Sequence, residues 1–214
     1  MSPDNLLASY QWLCVPETKG GGRLGSIFAV AWFRGLTPRE LALRISRGTD
    51  PGHESGFAGL DEKASEPRPW PDSGGSHVGI VQSGEWSVAI EPGGWTVEAD
   101  QSLSEGCEMV AVNRHDYAEH HFTYAINGLV VTTYILHSPY KRHGTDPDRL
   151  NAQMRELGMG LAKPTTDAAW DEAWDANYPT AIPRGFALAA KVTGVPFTPG
   201  LLDAPMLVAP IVNR

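Results

Sequence analysis

The chain is poor in cysteine: Cys14 and Cys107 are its only two among 214 residues. A secreted disulfide scaffold needs a denser set, so that class is excluded. Both thiols are expected to be reduced and buried, with a single bridge left open. No run of about 18 apolar residues occurs, so no membrane-spanning helix is expected. The first residues, MSPDNLLASYQWLCVPETK, lack the basic n-region and long apolar core of a signal peptide, which points to the cytoplasm. Positive charge is scarce too. Lys and Arg number 17 against 25 Asp and Glu, a net charge of −8. A protein that tracks nucleic-acid phosphates needs a basic face, so no nucleic-acid partner is expected, whereas a basic protein partner fits. There is no G-x-S-x-G elbow of a serine hydrolase. KGGGRLGS, residues 19–26, is not a phosphate loop, because its lysine comes first and the segment leads into a strand.

With 42 % hydrophobic and 20 % charged residues, the chain is globular rather than disordered. Its length suits one domain, residues 1–214. Ser2-Pro3-Asp4 offers a cap for a first helix reaching about Val15, and SIFAVAWF, residues 26–33, reads as a strand buried on both faces. Thr37-Pro38-Arg39-Glu40 is a capping box opening a helix that Gly48 stops. Residues 49–76 show no periodicity and read as a long irregular loop. HVGIVQ and EWSVAIE flank a hairpin turn at Ser83-Gly84; HHFTYAI and LVVTTYILH flank Asn127-Gly128, the stronger turn signal. Asp146-Pro147 opens a helix to about Leu157, and another runs from Pro183 to about Val192, before Gly194. MLVAPIV near the C-terminus suits an edge strand or a packed extension. The expected fold is α+β: a mostly antiparallel sheet from segments 26–33, 77–91 and 107–137, with flanking helices from both ends of the chain.

Several phrases occur in a telling order: Trp32-Phe33-Arg34-Gly35-Leu36-Thr37-Pro38-Arg39-Glu40, Ile90-Glu91-Pro92-Gly93-Gly94-Trp95, Tyr124-Ala125-Ile126-Asn127-Gly128, Asp146-Pro147-Asp148-Arg149-Leu150, and the stretch from Leu188 to Gly194. Across about residues 5–200 the chain resembles an uncharacterised family of actinomycete proteins. The resemblance implies an intracellular bacterial α+β domain and brings no catalytic residues with it.

The stretch NRHDYAEHHF, residues 113–122, holds three of the seven histidines. Histidine with carboxylate is a ligand set of catalytic metal sites. Counting outward from Asn127-Gly128, Tyr124 faces Val131, Phe122 faces Thr133, and His120 faces Ile135. His121 then points to the opposite face. If residues 116–119 form a four-residue loop, His115 faces His120, and His137 lies diagonally at roughly 7–8 Å. Asp116 and Glu119 are near. His115, His120 and His137 thus form a candidate divalent-metal site; the competing reading is a polar strand end whose histidines pack on Tyr117 and Tyr140.

Two other groups stand out. In AAWDEAWDANY, Trp170, Trp174 and Tyr178 follow helical spacing among Asp167, Asp171, Glu172 and Asp175. Such a stripe is either core or, if exposed, an anchor surface for a basic protein partner. Trp86, Glu91 and Trp95 are candidates for a ligand pocket. Cys14 lacks a nucleophile signature and reads as structural. The sequence therefore favours a soluble bacterial binding module for a protein partner, in a regulatory or immunity-type role, with no cofactor required. The rivals are a histidine-based metalloenzyme and a small-molecule binder.

Overall fold

The computed structural model describes residues 3–14, 22–54, 56–65, 76–115, 117 and 119–212. Ser2, residues 15–21 of the glycine-rich connection, residues 66–75 and Asp116 lie outside them. The described residues form one α+β domain. Its strands are β1 (Phe28–Arg34), β2 (Gly52–Glu54), β3 (His77–Ser83), β4 (Trp86–Pro92), β5 (Glu108–Arg114), β6 (His121–Ile126), β7 (Leu129–Ile135) and β8 (Met206–Pro210). They make a single sheet in the order β2-β8-β3-β4-β1-β5-β6-β7, antiparallel at every pairing. The helices are α1 (Pro3–Ala8), α2 (Pro38–Ile45), α3 (Phe57–Ala64), α4 (Thr96–Ala99), α5 (Asn151–Glu156), α6 (Asp167–Asn177), α7 (Ala181–Thr193) and α8 (Pro199–Asp203).

The all-apolar FAVAWF of β1 sits mid-sheet, buried on both sides. Side chains alternate along a strand, so its even and odd positions serve different cores. Phe28, Val30 and Trp32 join the larger core with α7, whereas Ala29, Ala31 and Phe33 join a second core with α2 and Val97 of α4. The larger core is aromatic at its centre. Phe186 of α7 lies 6.1 Å from Tyr10, 6.2 Å from Phe28, 6.1 Å from Trp32 and 5.5 Å from Phe197. The second core uses small alanines, which let α2 and α4 lie close to the sheet. The Thr37 box forms as expected: Thr37 Oγ1 accepts from the Glu40 N–H, and the Glu40 carboxylate accepts from the Thr37 N–H at 2.8 Å.

Local differences from the sequence expectation are informative. The segment 49–76 is not one irregular loop: it supplies edge strand β2 and helix α3, held by Phe57 and Leu60 in the core. The C-terminal strand β8 is therefore interior to the sheet, between β2 and β3. The first hairpin turns on Gly84-Glu85, because Ser83 pairs with Trp86. The first helix ends at Ala8 and a tighter 3-10 turn, Gln11–Cys14, follows. The helix after Asp146-Pro147 begins only at Asn151. Cys14 and Cys107 are both free thiols.

The second hairpin turns at Asn127-Gly128, with φ of 51° and 77° as a type I′ turn needs. Ile126 pairs with Leu129 as counted, but the register shifts one step on: Ala125 pairs with Val130, and Tyr124 with Thr132. Val131 is the bulged residue. The cause lies outside the hairpin. The segment 143–146 runs along the outer edge of β7, where the Thr145 and Asp146 N–H groups donate to the Val130 and Val131 carbonyls, each at 3.0 Å. Beyond the bulge, Phe122 opposes Tyr134, not Thr133, and the two rings stack at 5.4 Å.

Candidate functional site

The end of the sheet where β5 stops and β6 starts carries a polar cavity on each face. The strand register places them. Val112 pairs with Phe122, so the next partners are Asn113 with His121 and Arg114 with His120, one step away from the expected His115 and His120 pairing. Val110, Val112 and Arg114 face α7, and Met109, Ala111 and Asn113 face α4. That one-step slip removes the expected facing pair of His115 and His120.

On the α7 side, Cys14, Arg114, His115, His120, Tyr178 and Ile182 line a cavity of about 210 Å³. The Arg114 guanidinium donates to the Leu13 carbonyl at 3.0 Å. His120 is buried, and its Nδ1 accepts from the His115 backbone N–H at 3.0 Å. Burial, then the positive charge of Arg114 and the neighbouring histidines, pushes its pKa down to about 4. The imidazole is therefore neutral at physiological pH, with its proton on Nε2. Burial also raises the Cys14 thiol, against a smaller opposing effect of Arg114, so Cys14 has no activated-nucleophile character.

His137 packs on α6 instead: its ring is 4.3 Å from Trp174 and 6.4 Å from Tyr178. His120 meets the opposite end of that aromatic group, 6.5 Å from Tyr178. The ring of His115 leaves for the other face, 4.7 Å from Trp95 and 5.3 Å from Tyr117. His115, His120 and His137 are neighbours, but the His115 ring packs on Trp95 and Tyr117 and the His137 ring on Trp174 and Tyr178. Among the described residues, no group of three or more His, Cys, Asp or Glu side chains is placed to hold a metal ion. The alternative of histidines packed on aromatic rings matches the contacts at His115 and His137, although the rings are mostly not those expected.

On the α4 side lies a wider cavity of about 420 Å³. Glu98 of α4, Asn113 of β5 and Thr123 of β6 form its base, and all three are buried. The Glu98 carboxyl accepts from Thr123 Oγ1 at 2.5 Å and from Asn113 Nδ2 at 3.2 Å. Burial pushes its pKa above the ordinary carboxylate range, with the Thr123 hydrogen bond pulling the other way. Trp95, His115, His121 and His143 form the walls, with Glu119 at the exposed rim. Burial lowers the His121 pKa, the leading effect there. His121, which strand counting sets apart from the other histidines, thus shares a cavity with His115.

Only one of the three expected pocket residues lines this cavity. Trp95 does. Glu91 is fully buried and accepts from the Val97 N–H at 2.8 Å, anchoring the first turn of α4. Trp86 belongs to the larger core on the opposite face, with the Arg34 guanidinium 5.4 Å from its ring. Arg34 also pairs with Glu108. Sequence reading passed over Glu98, Asn113 and His143. A signal existed for Asn113: a polar residue in EMVAVNR at a buried strand position needs a partner. Glu98 had none, since a four-residue helix carries no periodicity.

At the end of α6, Trp174 and Tyr178, the residue just after the helix, stack at 5.1 Å with 13° between their planes, and each remains 43 % exposed. Trp170 is half-buried, edge-on to Tyr140 at 5.2 Å and with the Lys141 ammonium 4.9 Å from its ring. The expected stripe is thus neither core nor fully surface: its inner edge packs and its outer edge is open.

The class so defined is a helix–sheet–helix α+β domain with two polar cavities at one end of its sheet and an acidic aromatic helix beside them. The chain belongs to the family of unknown function DUF6461, whose model matches residues 6–214. No curated protein and no solved structure matches it. Among the described residues, no helix is long and apolar enough to cross a membrane.

Proposed function

We propose that the domain is a binding module for a basic protein partner, docked on the outer face of α6 in a regulatory or immunity-type role. The observation that carries this reading is the Trp174–Tyr178 stack, held open to solvent at 43 % each within an acidic helix. Exposed aromatic anchors ringed by charge are the usual centre of a protein interface. The charge supports it. Asp167, Asp171, Glu172 and Asp175 are exposed, and none makes an ion pair among the described residues. Asp175 sits in the last turn of α6, which has no basic residue. A negative charge there opposes the helix dipole, so internal stability does not explain it, whereas attraction for a cationic partner does. The resemblance of the sequence motifs to actinomycete proteins favours a bacterial cell as the setting.

Capture from native lysate by the wild type, by Trp174→Ala and by Asp171→Lys/Asp175→Lys tests the reading. A protein retained by the wild type and lost by both variants supports it. No reproducible retention, or equal retention by all three, removes it.

A further inference from the structure

The α4-side cavity is a second site, built from different residues and independent of α6. Its base is a carboxyl group taken out of water: Glu98 is 7 % exposed, and its two hydrogen-bond partners among the described residues, Thr123 and Asn113, are neutral. Each carboxylate oxygen offers two acceptor directions. With one partner per oxygen among the described residues, Glu98 keeps acceptor capacity, and it lines the cavity. A buried charge is costly unless a counter-charge meets it.

The walls match the same kind of guest. Trp95 lines the cavity with the His115 ring at 4.7 Å, and an indole there favours a cationic guest with its stem. Thr123 Oγ1 also contacts Thr133 Oγ1 at 3.0 Å, which fixes the hydroxyl beneath the carboxyl group. Asn113 is fixed too, because its Oδ1 accepts from the His121 N–H at 2.6 Å. Glu119 adds a second carboxylate at the entrance. The cavity of about 420 Å³ is within the range of sites that hold small organic molecules.

We infer that this cavity binds a small organic cation, with an ammonium or guanidinium group donating to Glu98 and an adjoining carbon stem against Trp95. Two carboxylates and a tryptophan select a donor-rich, positively charged guest over an anion.

Calorimetric titration of the full chain with agmatine, cadaverine and butylamine tests this, with 1,4-butanediol and succinate as neutral and anionic controls. At least one cation saturates at one site per chain, and neither control does. Glu98→Gln, which keeps the shape and removes the charge, weakens that cation at least tenfold. Trp174→Ala leaves it unchanged, so this outcome is separable from partner binding at α6. If Glu98→Gln does not fold, two readings on folded protein replace it: Glu119→Gln weakens the cation at least twofold, and the cation shifts the ring resonances of His121 in the wild type. Failure of all three cations to saturate overturns the inference. So does equal affinity in the folded Glu98→Gln variant, or, where that variant does not fold, the absence of either replacement effect.

Discussion

His120 accepts a hydrogen bond through Nδ1 from the backbone N–H of His115 at 3.0 Å. A ring nitrogen that accepts carries no proton, so this contact and burial both require the neutral imidazole. A protonated His120 loses the bond and buries a charge beside Arg114.

The folded pKa of His120, about 4, lies below its ordinary 6.5. The unfolded chain therefore takes up the proton first as pH falls. The stability contributed by neutral His120 is complete above pH 6.5, is lost between 6.5 and about 4, and then levels off. The shift corresponds to about 3 kcal/mol. His120→Asn retains an acceptor near the Nδ1 position and cannot titrate. Urea denaturation at pH 7 and pH 4 should show the wild type losing about 3 kcal/mol more than the variant over that interval. Parallel losses in the two proteins refute the assignment.

The bulge at Val131 gives a backbone prediction. Gly144 has φ +134°, and a Cβ there meets the Val131 carbonyl oxygen at 2.3 Å. Neither the conformation nor the space admits a side chain. Gly144→Ala should cost about 2–4 kcal/mol by chemical denaturation. Gly160, with ordinary φ and nothing within 4 Å of an added Cβ, is the control: Gly160→Ala should stay within about 0.5 kcal/mol. Similar losses at the two positions refute the close approach.

The same bulge explains how much of the site was legible beforehand. Asn127-Gly128 fixed the turn and the first pair, because both residues tolerate positive φ and their neighbours do not. Parity counting holds only while the ladder is regular, and the segment that breaks it, residues 143–146, is remote in sequence from Tyr124. The connection between His115 and His120 went wrong for a related reason. A four-residue loop over residues 116–119 was the supposition, whereas the Asn113 side chain accepts from the His121 N–H and the register lies one step away. β1 and the Thr37 capping box were readable because their signals are local. Strand β2 was not, since three residues without an apolar pattern become a strand only when β8 is there to pair with.

Glu91 is expected to matter through α4 rather than through a ligand. Its buried carboxyl group accepts from the Val97 N–H, and an amide at that position offers one acceptor oxygen in place of two. Glu91→Gln should lose about 1–3 kcal/mol in urea. Because α4 follows Trp95 directly and carries Glu98, the variant should also bind the best cation of the titration series less tightly. Unchanged stability and unchanged affinity in Glu91→Gln rule out this anchoring role.

Asp175 separates a functional charge from a structural one. It lies in the last turn of α6, where the carbonyl ends of the helix make a negative pole. Asp175→Lys replaces repulsion with attraction there and should stabilise the free domain by about 0.3–1 kcal/mol, measurable as a raised urea midpoint. The same substitution removes negative charge beside the Trp174–Tyr178 stack, so it should slow association with a basic partner and flatten the salt dependence of that rate. A residue kept for stability alone predicts the opposite pair of results. Should Asp175→Lys lower the urea midpoint and leave association untouched, the acidic face of α6 belongs to folding, and the docking surface has to be sought elsewhere on the domain.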